Sequence, residues 1–270
     1  MNTPIFSLIA VVLYLVTATR MALPLWRARA DTPASLALNF GLALAALALH
    51  AAGLYHSLVT AAGINLGVFN AASLVTWLVA LILVGSALFR PLANLAVVVF
   101  PCAALAIVLD LLFPSRRILP EEMPRGLDLH IALSLVAYSI LTIAALQAAV
   151  IAVADHQLRH KRPLRVMRIL PPLATMETLL FQLLAIGLLL LSLGLISGFM
   201  FVQNLFEQHL VHKTVLSVLA WLVFALLLWG RRYRGWRGRT AVRYTLAGFV
   251  LLMLAFFGSA VVLQLVLHRV

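Results

Sequence analysis

The chain has 270 residues, of which 64% are hydrophobic and only 10% charged, and its mean hydropathy is +1.09. A soluble domain is about 45–50% apolar, so this composition excludes a water-soluble globular fold and implies an all-α polytopic membrane protein. The formal charge of +12 lies in clusters between apolar runs, a pattern that orients a protein in a bilayer rather than one that binds nucleic acid.

A helical crossing takes about 20 apolar residues. Eight runs meet that length: Pro4–Leu23, Ala34–Leu54, Val68–Leu88, Leu92–Leu112, Leu127–Ala154, Met176–Phe201, Val211–Gly230 and Ala241–Val266. They predict eight transmembrane helices in a single integral membrane domain over 1–270. Pro33, Pro91, Pro114 with Pro120, and the pair Pro171-Pro172 fall between runs, where a missing N–H costs least. Uninterrupted runs without alternation indicate helices, not barrel strands.

The first run has no positive charge before it and Arg20, Arg27 and Arg29 after it, which reads as a retained span and not a cleaved signal peptide. The second carries His50 near its end, with His56 just beyond. The fourth holds the only cysteine, Cys102, so there is no Cys-x-x-Cys pair and no Cys-x-x-Cys-His haem attachment site; a lone cysteine in such a run packs as a small hydrophobe. Arg116, Arg117 and Arg125 precede His130, at the start of the fifth run, and share their loop with Glu121, Glu122 and Asp128. Thr175 is placed to cap the sixth span, with Glu177 in its first turn, favourable to the helix dipole. Before the seventh run, "FMFVQNLFEQHLVHK" mixes Phe199, Phe201 and Phe206 with His209 and His212, as an aromatic interface belt does or a lid over an apolar ligand. Gly235-Trp236-Arg237-Gly238-Arg239 reads as a tight loop, with Trp236 at the interface and the arginines against anionic headgroups.

Lys and Arg divide fifteen to five between the two sides when the N-terminus is outside. This positive-inside bias predicts that both termini are extracytoplasmic. Six of the eight histidines then lie at or near the outer face, and only His156 and His160 on the inner side. At about 1.5 Å per residue, His50 and His130 both sit roughly 5–6 Å below the outer boundary.

Each imidazole has two readings. It is neutral and hydrogen-bonded to a neighbouring helix, or it serves a ligand, as polar residues inside spans do by default. Two imidazoles at one depth suit haem, whose iron takes neutral axial histidines, whose porphyrin prefers an apolar lining and whose propionates want cations near water. His50 and His130 are the candidate ligands of a b-type haem, His209 and His212 the further outer-face candidates, and Arg116, Arg117 and Arg125 either propionate partners or solvated loop residues. Zinc is less suited, since a pair lacks its third and fourth ligands.

From about His130 onward, "LHIALSLVAYSILTIAALQA", "LPPLATMETLLFQLLAIG", "HKTVLSVLAWLVFALLLWGRRYRGWRGRTAVRYTLAGF" and "FFGS" resemble the cytochrome c assembly family of haem-handling membrane proteins, CcsA-like, and most of all its short YpjD-like inner-membrane members. Lys213 to Trp221 followed by Gly235 to Arg239 is the most specific part, within motifs that are strongest over 130–260. Larger members of the family present haem on an outer Trp-Gly-x-x-Trp-x-Trp-Asp segment and hold another haem between histidines in the membrane. The resemblance implies that His50 and His130 occupy the in-membrane histidine positions. The stretch corresponding to the tryptophan-rich segment is Phe199 to His212, with Val211 where the aspartate is expected, so a cytochrome c synthetase activity is not implied.

The expectation is therefore a multi-pass inner-membrane protein that binds haem b, with membrane lipid and haem-handling or cytochrome assembly proteins as partners, and that is not an enzyme. No nucleophile with its base, no metal-ligand set and no phosphate loop is present in the sequence. The alternative is a transporter or regulatory membrane protein with structural histidines, although paired interrupted helices and charged coupling residues at the midplane are lacking. Arg20 and Asp110 are expected to snorkel or meet headgroups at span ends.

Overall fold

The computed structural model describes residues 3–27, 33–60, 63–87, 92–114, 118–119, 126–160, 170–201 and 208–258. Its elements are α1 (Thr3–Arg27), α2 (Pro33–Leu58), β1 (Val59–Thr60), β2 (Gly63–Asn65), α3 (Val68–Ala87), α4 (Ala96–Leu112), β3 (Ile118–Leu119), α5 (Leu127–Arg159), α6 (Leu173–Phe201), α7 (Gln208–Arg234) and α8 (Gly238–Met253). A π-helical turn, Leu254–Gly258, continues α8. Helix dominates because the runs are apolar all round, and in hydrocarbon only a helix satisfies every backbone group within its own segment.

Among the described residues, seven helices are long and apolar enough to cross a membrane. The remaining one, α4, has 17 residues and is preceded by a 3₁₀ turn, Ala93–Leu95. Together these rise roughly 31 Å, close to the hydrocarbon thickness. Pro33 opens α2, the first helical position where its missing N–H is harmless.

The chain divides into two compact units, the first comprising Met1–Glu121 with His160–Pro171 and the second Glu122–Arg159 with Pro172–Val270. In the first, α1 packs against α2 and α4, and α3 closes the ring by packing against α2 and α4. A small antiparallel sheet in the order β1-β2-β3 pairs Val59 with Ile64 and Ile64 with Leu119. Asn65, at the end of β2, and Asn70 are buried. In the amide orientation that matches donors to acceptors, Asn70 Nδ2 lies 2.8 Å from Asp110 Oδ1 and 3.0 Å from Ser57 Oγ. Asp110 is thus held by Asn70 inside the unit. Arg20 likewise finds a protein partner, its Nε donating to Asn39 Oδ1 at 2.9 Å.

The second unit repeats the neighbour pattern: α5 packs on α6 and α8, and α7 on α6 and α8. The α5–α6 contact is close because α6 presents glycines to it. A Cβ on Gly187 would stand 2.6 Å from Leu141, one on Gly194 3.4 Å from Ser134 Oγ, and one on Gly198 2.9 Å from His130 Cε1. Small residues at a membrane helix interface let backbones approach and dispersion act.

The turn from α7 to α8 is the Gly-Trp-Arg-Gly-Arg motif. Gly235 and Gly238 have φ of 66° and 52°, values that suit glycine. Trp236 folds back onto Gly230, where any Cβ would collide with the indole, and lies against Tyr244 with ring centroids 5.0 Å apart. Glu177 Oε1 accepts from Gly238 N at 2.8 Å, so this carboxylate caps the start of α8, whose orphan N–H groups and dipole favour an anion. Arg239 Nε donates to Asp155 Oδ2 at 3.1 Å. Two expectations are corrected here. Glu177 serves α8 rather than its own helix. Thr175 lies inside α6, which begins at Leu173, and is not its cap.

Candidate functional site

His50 lies in α2 and is 2% exposed. Its Nδ1 is hydrogen-bonded to the Tyr14 hydroxyl of α1 at 3.3 Å and its Nε2 to the Ser73 hydroxyl of α3 at 3.0 Å. Tyr14 is fully buried, meets the imidazole edge to face at 5.7 Å between centroids, and packs on Phe100 of α4 at 5.4 Å. Nearby, Trp77 Nε1 donates to Leu47 O at 3.0 Å, a second polar tie between α2 and α3. A neutral imidazole offers one donor and one acceptor, and each hydroxyl can supply either role. His50 is therefore satisfied as it stands, which accounts for an imidazole among Leu and Ala.

His130 stands in the first turn of α5 and is half-buried. Its Nδ1 lies 2.9 Å from Gly194 O and 3.2 Å from Ser197 Oγ, and Ser197 Oγ itself donates to Gly194 O at 2.8 Å. A carbonyl only accepts, so Nδ1 carries the proton and Nε2 the lone pair. Among the described residues Nε2 has no hydrogen-bond partner. This is the arrangement in which a protein prepares a histidine for a metal, with one nitrogen orienting the ring and the other left to ligate. Gly198 makes it sterically possible, since the ring occupies the space a Cβ would take.

The remaining candidates are dispersed. His209 belongs to the backbone of α7, but its side chain lies outside the described residues, while His212 is exposed on the same helix. His56 is exposed with its ring beside Tyr55, and His156 and His160 are exposed at the far end of α5 from His130. Arg116, Arg117, Arg125 and His268 lie outside the described residues. Cys102 has no disulfide partner. Among the described residues no three His, Cys, Asp or Glu side chains converge on a point.

His50 and His130 belong to different units, and each has its own chemistry toward a flat, iron-bearing ligand. His130 presents a free lone pair. His50 has Nε2 covered by one hydroxyl, and in the tautomer that donates Nδ1–H to Tyr14 a χ1 rotation of Ser73 uncovers it. A serine in a helix has an alternative acceptor in the carbonyl of the preceding turn. Sequence reasoning found both histidines but missed Tyr14, Ser73 and Ser197, whose hydroxyls in helices carry no signal of their own.

Residues 39–267 match the family model of the cytochrome C assembly protein, a range that includes both histidines. The inner membrane protein YpjD of Escherichia coli (strain K12) is 36% identical, over 97% of this chain and 99% of its own. An uncharacterized 28.8 kDa protein of Azospirillum brasilense is 33% identical over 156 residues, 55% of this chain and 58% of its own. The cytochrome c biogenesis protein CcsA of Trichormus variabilis is 28% identical over 86 residues, 31% of this chain and 24% of its own.

Proposed function

The chain belongs to the cytochrome c assembly protein family, and on that premise we propose that it is a haem-binding membrane protein acting in haem handling or cytochrome complex assembly. It is a multi-pass protein of the inner membrane. The reading extends to eight spans with both termini outside. Its support is the fifteen-to-five division of Lys and Arg and the length that the 3₁₀ turn adds to α4.

The observation that carries the haem assignment is His130, whose Nδ1 is fixed by Gly194 O and Ser197 Oγ and whose Nε2 lone pair is unspent. A b-type haem would be held by His130 and His50, the candidate ligands, with His209 and His212 as outer-face candidates of lower rank. When bound, haem supplies an iron whose potential the axial ligands and the low-dielectric surroundings set. The chain's own residues orient the rings: Gly194 and Ser197 hold His130, Tyr14 holds Nδ1 of His50, and Ser73 masks its Nε2 until the ligand arrives. No catalytic role is proposed, because the sequence supplies no tryptophan-rich presenting segment. The partners implied are membrane lipid and other haem-handling or cytochrome assembly proteins.

A second reading, a transporter or regulatory protein with structural histidines, draws on the satisfied state of His50. Haem content after purification from haem-supplemented cells separates the two. The first reading expects haem close to one per chain in the wild type and a marked loss in His130→Ala. Equal and negligible content in both proteins supports the second.

A further inference from the structure

Within the first unit, a cavity of about 380 Å³ lies among α1, α2, α3 and α4, at the lower end of the roughly 300–1,000 Å³ typical of small-molecule sites. Leu36, Phe40, Leu83, Val84 and Phe100 make its walls apolar. Leu83 and Phe100 are each 1% exposed, whereas Leu36 at the edge is 50% exposed. The one polar side chain in the lining is Asn39, itself 5% exposed.

Asn39 spends only its oxygen, which accepts from Arg20 Nε at 2.9 Å. Among the described residues no acceptor meets Asn39 Nδ2 or the two terminal nitrogens of Arg20, and no carboxylate pairs with Arg20. The unspent groups are all donors, and one carries a full positive charge. An occupant that satisfies them must offer an oxyanion, and one that fills the cavity must offer hydrocarbon. Arg20 is three residues before Leu23, the end of the apolar run, so its Cα lies about 4–5 Å inside that boundary, within reach of the headgroup level through its flexible stem.

We propose that this cavity holds one acyl chain of an anionic phospholipid, with the phosphate bound by Arg20 and Asn39. The bilayer supplies such a molecule at high local concentration, in the orientation that places chain and phosphate together. A fixed guanidinium distinguishes it from a zwitterionic lipid, whose phosphate is already neutralised by its own headgroup cation.

The experiment is native mass spectrometry of the full chain in detergent, titrated with phosphatidylglycerol or with phosphatidylcholine of the same acyl composition. The wild type is expected to retain one phosphatidylglycerol with an affinity about fivefold higher than for phosphatidylcholine, the order expected of one basic side chain. Arg20→Gln should reduce that preference to near unity. Asn39→Asp keeps the acceptor for Arg20 Nε but turns the free donor into an anion, and it should also abolish the preference. Ala43→Leu, in the cavity wall, should weaken retention of both lipids. The proposal is overturned if the wild type retains the two lipids equally, or if either charge variant that keeps the wild-type thermal midpoint also keeps the preference.

Discussion

Replacing Ser73 with alanine separates a ligating His50 from a merely structural one. The substitution removes the single hydroxyl on His50 Nε2, 3.0 Å away and buried, and leaves the Tyr14 bond to Nδ1 intact. Interhelical hydrogen bonds in membranes are worth about 0.6 kcal/mol on average and about 1.7 kcal/mol at most, so the haem-free protein should lose about that much stability. If haem takes over Nε2, the bond is already broken in the haem-bound state, and the loss falls on the haem-free state alone. The difference then appears as tighter binding, by about threefold for the mean value and up to roughly twentyfold for the largest. Titration of haem into haem-free protein in detergent, followed at the Soret band, measures the ratio of dissociation constants, with thermal unfolding of the same samples measuring the stability loss. Weaker haem binding in Ser73→Ala than in the wild type would refute the masking argument, and unchanged binding in both Ser73→Ala and His50→Ala would remove His50 from the ligand set.

Two further outcomes follow from the geometry and one from the charge distribution. Glu177→Ala should destabilise the protein by about 1 kcal/mol, the usual value of a helix cap, while Glu177→Gln, which keeps an oxygen for Gly238 N, should lose less; thermal unfolding in detergent ranks the three. Gly198→Ala would bring a Cβ to 2.9 Å from His130 Cε1, so the ring must turn from Gly194 O, and haem retention should fall in step with His130→Ala although residue 198 touches no iron. Reporter fusions after Arg162 and Arg239 should report cytoplasm and those after Met123 and at the C-terminus the outside; an external signal at Arg239 would overturn the charge-based topology.

The helices were legible because length and uniform apolarity are summed over about 20 residues each. The boundaries were less so: α7 begins at Gln208, ahead of the apolar run, and α5 continues to Arg159, because a helix extends past the hydrocarbon wherever its polar end still bonds itself. The three-stranded sheet escaped notice because strands of two or three residues cannot display alternation. His50 was conspicuous as an imidazole in an apolar run, yet its partners are 36 and 23 residues away and are ordinary helical hydroxyls. Glu177 and Asp155 were harder still. Gly238 is 61 residues from Glu177, and Arg239 is 84 residues from Asp155, which also pairs with Arg159 four residues on, so each carboxylate had a local explanation in the sequence. Long-range pairing of single polar groups leaves no periodic trace.

The central claim is that the chain binds haem through histidines within its membrane helices, and the absorption spectrum of the purified, haem-replete protein tests it most directly. The account predicts a Soret band and, on reduction, the sharp visible bands of six-coordinate low-spin iron. His50→Ala or His130→Ala should shift the spectrum to high spin or lower its intensity, the double substitution should abolish it, and His156→Ala with His160→Ala should leave it unchanged. A wild type without a Soret band, or a double variant that keeps a normal one, would contradict the account.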